Sequence, residues 1–151
     1  MILRALESHS HKVKLHVGAT VAMGILHGVM VTTYGRLPPN NEDWMQACRV
    51  LSRYRGSVRG HVVLSRGGMP NAMQRKTVIG TLPRGFVVPP VAVLAQGDML
   101  RGAITALNWL LDDTLRGFEE EDAGGIAKQL GVSVPEARSF IDFALELVPF
   151  N

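Results

Sequence analysis

The segment Val91-Ala-Val-Leu-Ala95 is apolar at every position. A strand resting on a single core alternates apolar with polar side chains. A strand without a polar position must be covered on both faces, and in sheets of that kind the cover is supplied by helices joining parallel strands. This run therefore demands a sheet sandwiched between helices, and the rest of the chain can be searched for the pieces. His61-Val-Val-Leu-Ser65 reads as a second short buried strand. Residues 13–17 and 21–34, rich in valine, isoleucine and threonine and punctuated by Gly18, Gly24 and Gly28, read as a strand pair at the start. The apolar stretch 13–31 is interrupted by Lys14, His16, His27 and three glycines, so two adjacent strands account for it better than a membrane span.

Helices fall between these strands. Asn40-Asn41-Glu42-Asp43 is a helix start, a cap candidate followed by first-turn acids, and Trp44, Ala47, Cys48 and Leu51 recur at helical spacing until Gly56. A second helix is expected after Gly67-Gly68-Met69, with Pro70 in its first turn, running towards Leu82 and Pro83. Leu100, Ala103, Ile104, Leu107 and Leu111 form the stripe of a third. Leu115 to Phe118 is a last strand. Two helices end the chain: residues 121–130, stopped by Gly131, and one from about Val134 with the stripe Ala137, Phe140, Ile141 and Ala144. The expectation is one α/β domain over residues 1–151. A leading β-hairpin is followed by alternating helices and strands around a mostly parallel sheet, and residues 132–151 form an extra, appended C-terminal helix.

This order resembles the STAS domain, the fold of bacterial anti-sigma-factor antagonists, in its SpoIIAA-like variant. Two blocks carry the resemblance beyond topology: Gly67-Gly68-Met69-Pro70-Asn71-Ala72-Met73-Gln74-Arg75, and Leu100-Arg101-Gly102-Ala103-Ile104-Thr105-Ala106-Leu107-Asn108-Trp109. It implies a non-enzymatic regulatory module that binds another protein, here through the helix after His61-Val-Val-Leu-Ser65 and its preceding loop. One departure is informative. Antagonists controlled by phosphorylation carry Asp-Ser-Ser or Asp-Ser-Thr at the start of that helix, whereas this chain has Met69-Pro70-Asn71-Ala72-Met73, without a hydroxyl to phosphorylate.

The residues themselves offer one binding constellation. Residues 65–71 and 96–101 are loops at the carboxyl ends of strands, where ligands of open parallel sheets collect if the chain order reverses there, and each leads into a helix N-terminus. Arg66, Gly67, Gly68, Asn71, Arg75, Gln96 and Arg101 would form a pocket for a small anionic or lipid-like ligand, with Met69 joining them on a partner-binding surface. Tight turns and solvated arginines explain the same residues without a ligand, and Asp98 would compete for the positive helix end.

Other classes find little support. The net charge is only +3, and Arg49, Arg53, Arg55, Arg59, Arg66, Arg75 and Lys76 are spread between apolar positions, which favours solubility over nucleic-acid binding. Residues 126–141 have the turn and apolar spacing of a helix-turn-helix. Their second helix, however, offers Arg138 against Glu136, Asp142 and Glu146, a surface that phosphates would repel. Cys48 is the single cysteine, so no intrachain disulfide and no cysteine zinc cage can form. A reducing, cytoplasmic setting suits it, as does the lack of a signal-like apolar core at the N-terminus. Cys48 lies on an apolar stripe and reads as packing. His9, His11, His16, His27 and His61 are scattered, and no catalytic pair or cofactor fingerprint appears. Glu119-Glu120-Glu121-Asp122 reads as a solvated helix cap. Phe143, Leu147, Val148 and Phe150 form an apolar end that either joins copies of the chain or covers its own core.

Overall fold

The computed structural model describes residues 12–98, 102, 104 and 115–150. Most of the helix expected around Leu100 to Leu111 lies outside them. Six strands form one sheet in the order β1-β2-β3-β4-β5-β6: β1 Val13–Val17, β2 Val21–Leu26, β3 Val29–Tyr34, β4 Gly60–Ser65, β5 Val91–Leu94 and β6 Leu115–Phe118. The first three are antiparallel to one another, and β3 to β6 run parallel. The fold is thus α/β with a mostly parallel sheet, as the sequence predicts. The leading pair is in fact three strands. His27 and Gly28 both take positive φ, 52° and 75°, and close a two-residue hairpin turn inside what the valine-rich sequence presents as one continuous strand.

Four helices are found among the described residues: α1 Asn41–Tyr54, α2 Ala72–Gly80, α3 Ala123–Leu130 and α4 Val134–Leu147. Because β3 to β6 advance steadily across the sheet, right-handed crossovers place α1 and α2 on the same face. After β6 the chain returns over the opposite face, α3 against β5 and β6, and α4 against β2, β3 and β4. Alternation along each strand then sorts the core. Ala22, Val31, Val62, Leu64, Ala92 and Leu94 face α3 and α4, while Met23, Met30, Tyr34, Val63, Val91 and Val93 face α1 and α2. Every side chain of β5 is buried, which is why its sequence carries no polar position.

The steady strand order corrects one expectation: the chain does not reverse between β4 and β5, so no switch-point crevice opens there. Helix limits also shift. Asn71, rather than Pro70, sets the start of α2, because its side chain accepts from the Gln74 amide while Gln74 answers in a capping box. Instead of hanging from the domain, α4 supplies Phe140, Phe143, Ala144 and Leu147 to the core. Three of the four apolar residues near the C-terminus therefore pack on the chain's own sheet, and Phe150 is exposed.

The position of α1 depends on Asp43, buried in its first turn. Its carboxylate accepts from the Thr20 amide (2.8 Å), the Thr20 hydroxyl (2.6 Å), the Val21 amide (2.9 Å) and the His16 ring. The turn between β1 and β2 wraps it so closely that a Cβ on Gly18 would stand 1.8 Å from Asp43 Oδ1. Burial alone would raise the Asp43 pKa, but the bonds from Thr20, His16 and Val21 outweigh it and hold the group below the usual carboxylate value. Asp43→Ala would strand those donors and is expected to cost roughly 3 kcal/mol or more. In urea titration the midpoint should fall with an unchanged slope; an unmoved midpoint would show that the carboxylate does not anchor α1.

Candidate functional site

Where α1 and α2 cross the sheet, their packing is incomplete. An apolar chamber of about 100 Å³ lies between them and β2 to β5. Met23, Thr32, Tyr34, His61 and Val63 form its floor. Trp44, Ala47, Cys48 and Leu51 of α1 and Val78 of α2 form its roof. Leu82, Phe86 and Val88, from the connection between α2 and β5, make the partly exposed outer wall. The two helices of the roof are fastened to each other by polar bonds. Trp44 Nε1 donates to the Gln74 carbonyl (3.0 Å), and Gln74 Nε2 donates to the Pro39 carbonyl (2.7 Å), fastening α2 to the start of α1.

The chamber's polar groups are neutral except one. Burial pushes the Cys48 thiol up to about 11 and lowers His61 to about 4; burial, with the neighbouring Cys48 adding to it, raises Tyr34 as well. Near neutral pH the chamber therefore presents a thiol, a phenol, a threonine hydroxyl and an uncharged imidazole. Among the described residues, no hydrogen bond is found for the Tyr34 hydroxyl, the Thr32 hydroxyl or the His61 ring. The exception is Arg55, just beyond α1. It is 9% exposed, donates through Nη1 to Thr81 Oγ1 (3.0 Å) and through Nη2 to the Thr81 carbonyl, and lies over the Phe86 ring with Cζ 5.5 Å from its centroid.

The residues singled out in the two loops sit elsewhere, at the carboxyl ends of β4, β5 and β6. Glu120 brings the loops together, accepting from Arg66 Nη1 and from Gln96 Nε2 (3.3 Å). Only 8% exposed, Glu120 is a buried ion-pair partner rather than part of a solvated cap; Asp122 alone caps α3, accepting from the Gly125 amide. Arg75 turns back to donate to the Pro70 carbonyl (2.8 Å). Asn71 is spent on the capping box, and Met69 packs partly buried against the α1/α2 core. Gly67 has φ 126° and donates to Ser65 Oγ. Gly68 passes against the loop after β3, where a Cβ would meet the Leu37 carbonyl oxygen at 2.0 Å. Arg101 lies outside the described residues. The loops do converge, with a carboxylate of the chain itself seated between Arg66 and Gln96.

The chamber residues were readable only in part. Period-two alternation places Thr32, Tyr34 and His61 on the face that also carries Met23 and Val63. Arg55 has a stronger signal. From Met45 to Pro90 the chain carries eight lysines and arginines and no aspartate or glutamate, so a buried cation in this region finds no local counter-ion. Among the described residues, no cluster of histidine, cysteine or acidic side chains is arranged to hold a metal ion, and no helix is long and apolar enough to cross a membrane. Comparisons with protein-family models, with curated proteins and with solved structures gave no match.

His61 makes the chamber sensitive to acid. Its folded pKa, about 4, is below the ordinary value of 6.5, so the unfolded chain takes up the proton first. The stability this confers is complete above pH 6.5 and is lost as pH falls towards 4. Thermal unfolding across that window should show a declining Tm in the native protein and a flatter profile in His61→Gln; parallel profiles would mean that His61 is not held neutral by burial.

Proposed function

We propose that this chain is a non-enzymatic binding module whose chamber receives a small, largely apolar molecule. The observation behind this reading is the chamber itself. Protein interiors are packed with few voids larger than a water molecule. The walls of the chamber also carry the Tyr34 and Thr32 hydroxyls and the His61 imidazole. Such groups fix the orientation of a ligand whose body is held by apolar contact. An apolar cavity of roughly 150 Å³ accommodates benzene, so this chamber of about 100 Å³ takes a short branched chain, or a single ring that extends to its partly exposed outer wall.

The resemblance to STAS-like regulatory modules belongs to the same proposal, with occupancy of the chamber as the signal. A second reading, docking of another protein, is favoured by the outer surface of α1 and α2. Met45 and Met73 are exposed there at 49% and 74%, and the shallow groove between the helices is bordered by Arg49 and Arg53. The chemistry that complements a groove bordered by arginines and set with apolar anchors is an acidic protein segment. A partner co-purifying from the native host should be lost with both Met73→Glu and Arg49→Glu; one retained by both variants would remove this reading.

For the chamber, thermal unfolding against a panel of small aromatic and branched aliphatic compounds should raise Tm for at least one class. The rise should be abolished in Ala47→Leu, whose larger side chain projects into the space, while its unfolding remains cooperative. A panel without effect on the native protein, repeated by NMR with no shifted resonances, would sink the proposal.

A further inference from the structure

Resting on the chamber reading, we infer that the occupant is a compact organic acid whose carboxylate pairs with Arg55. A buried guanidinium retains its charge, and a buried charge is stabilised by an ionised partner far better than by neutral acceptors. Arg55 is over nine-tenths buried, yet both of its bonds go to the neutral residue Thr81, and among the described residues it forms no ion pair. Of its five N–H donors two are used, leaving three for another acceptor.

Near it in sequence the charge has no acidic partner. The whole stretch from Met45 to Pro90, which builds the roof and outer wall, contains no acidic side chain. Arg66 shows the contrast, for although it is only partly buried it is matched by the buried Glu120. Arg55 also stands where a head group would have to be. It lines the chamber, and its partner Thr81 is exposed, so the guanidinium is at the outer edge, with the apolar space behind it. Phe86 supports it by lying against the cation, which orients the planar fork without neutralising it. A ligand that satisfies both features has one delocalised anionic group of carboxylate geometry and a compact apolar body. Elsewhere in the lining, the Tyr34 and Thr32 hydroxyls and neutral His61 offer no competing charge.

Benzoate and its uncharged near-isostere benzamide separate the two parts of the argument. NMR titration of the full chain with each is expected to show benzoate binding at least tenfold more tightly, with the preference falling below twofold in Arg55→Met. Arg55→Lys, which keeps a cation, is expected to retain part of the preference. The side-chain 15N–1H resonances of Arg55 in the native protein provide a measurement that needs no variant, and they should move as benzoate saturates. Equal binding of the two compounds, or Arg55 resonances unmoved at saturating benzoate, overturns the carboxylate assignment and leaves an apolar chamber. Binding of neither overturns the assignment and, if the wider panel is also silent, the chamber reading with it.

Discussion

The Asp43 carboxylate fixes the geometry on which everything else on the α1/α2 face depends. One ionised group gathers a hydroxyl, an imidazole and two backbone amides from the first turn of the chain and secures them to the first turn of α1. A carboxylate is suited to this task because it can accept several bonds at once, and each donor lowers the cost of keeping its charge from water. The roof of the chamber inherits that precision: Trp44 follows Asp43 directly, Gln74 receives the Trp44 indole proton, and α2 is set by Gln74. The space beneath the helices is therefore defined by polar bonds at their N-terminal ends, so the apolar residues between need not fill it.

The distribution of charge gives the two faces of the sheet different characters. The α3/α4 side carries Glu136, Asp142 and Glu146 with Lys128 and Arg138, whereas on the α1/α2 side the acids Glu42 and Asp43 stand at the start of α1 and the stretch from Met45 to Pro90 carries only basic charges. The acidic face is where a helix-turn-helix reading would place a nucleic acid, and the like charge speaks against it. On the basic face most cations are exposed and screened, and their individual energetic weight is small. Arg55 differs in that it is covered, and the same unit of charge in a covered position becomes a determinant of what may approach.

Much of the architecture was legible in local sequence. The wholly apolar β5, the helix start at Asn40-Asn41-Glu42-Asp43 and the β6 segment all have near-neighbour signals, and each is found as expected. The His27–Gly28 turn was hidden because a histidine at positive φ has little sequence signature, and glycines also occur at Gly24 without a turn. The two-loop residues were correctly placed at strand ends, but their engagement depends on Glu120 and on carbonyls distant or conformationally set, which spacing does not reveal. The chamber was harder still. It arises from the mismatch between two helices and a sheet, and its defining residue sits in a three-residue turn after α1 whose arginine looks like any surface cation. Only the missing acids across residues 45–90 hinted that it would be unpaired.

The path of the last helix has a consequence for how the molecule is made. Strands β2 and β3 leave the ribosome well before α4, yet the face they turn towards Phe140 and Phe143 is closed by α4, and Lys12 reaches Glu146 across 134 residues. Until α4 has been made, that apolar face lacks the helix that covers it. Local helices on the opposite side can assemble early, but closing this one is a long-range, late event. During translation the nascent chain presents a sticky half-sheet, the kind of surface that chaperones hold. Deletions near the C-terminus would prolong that state rather than merely shorten the protein.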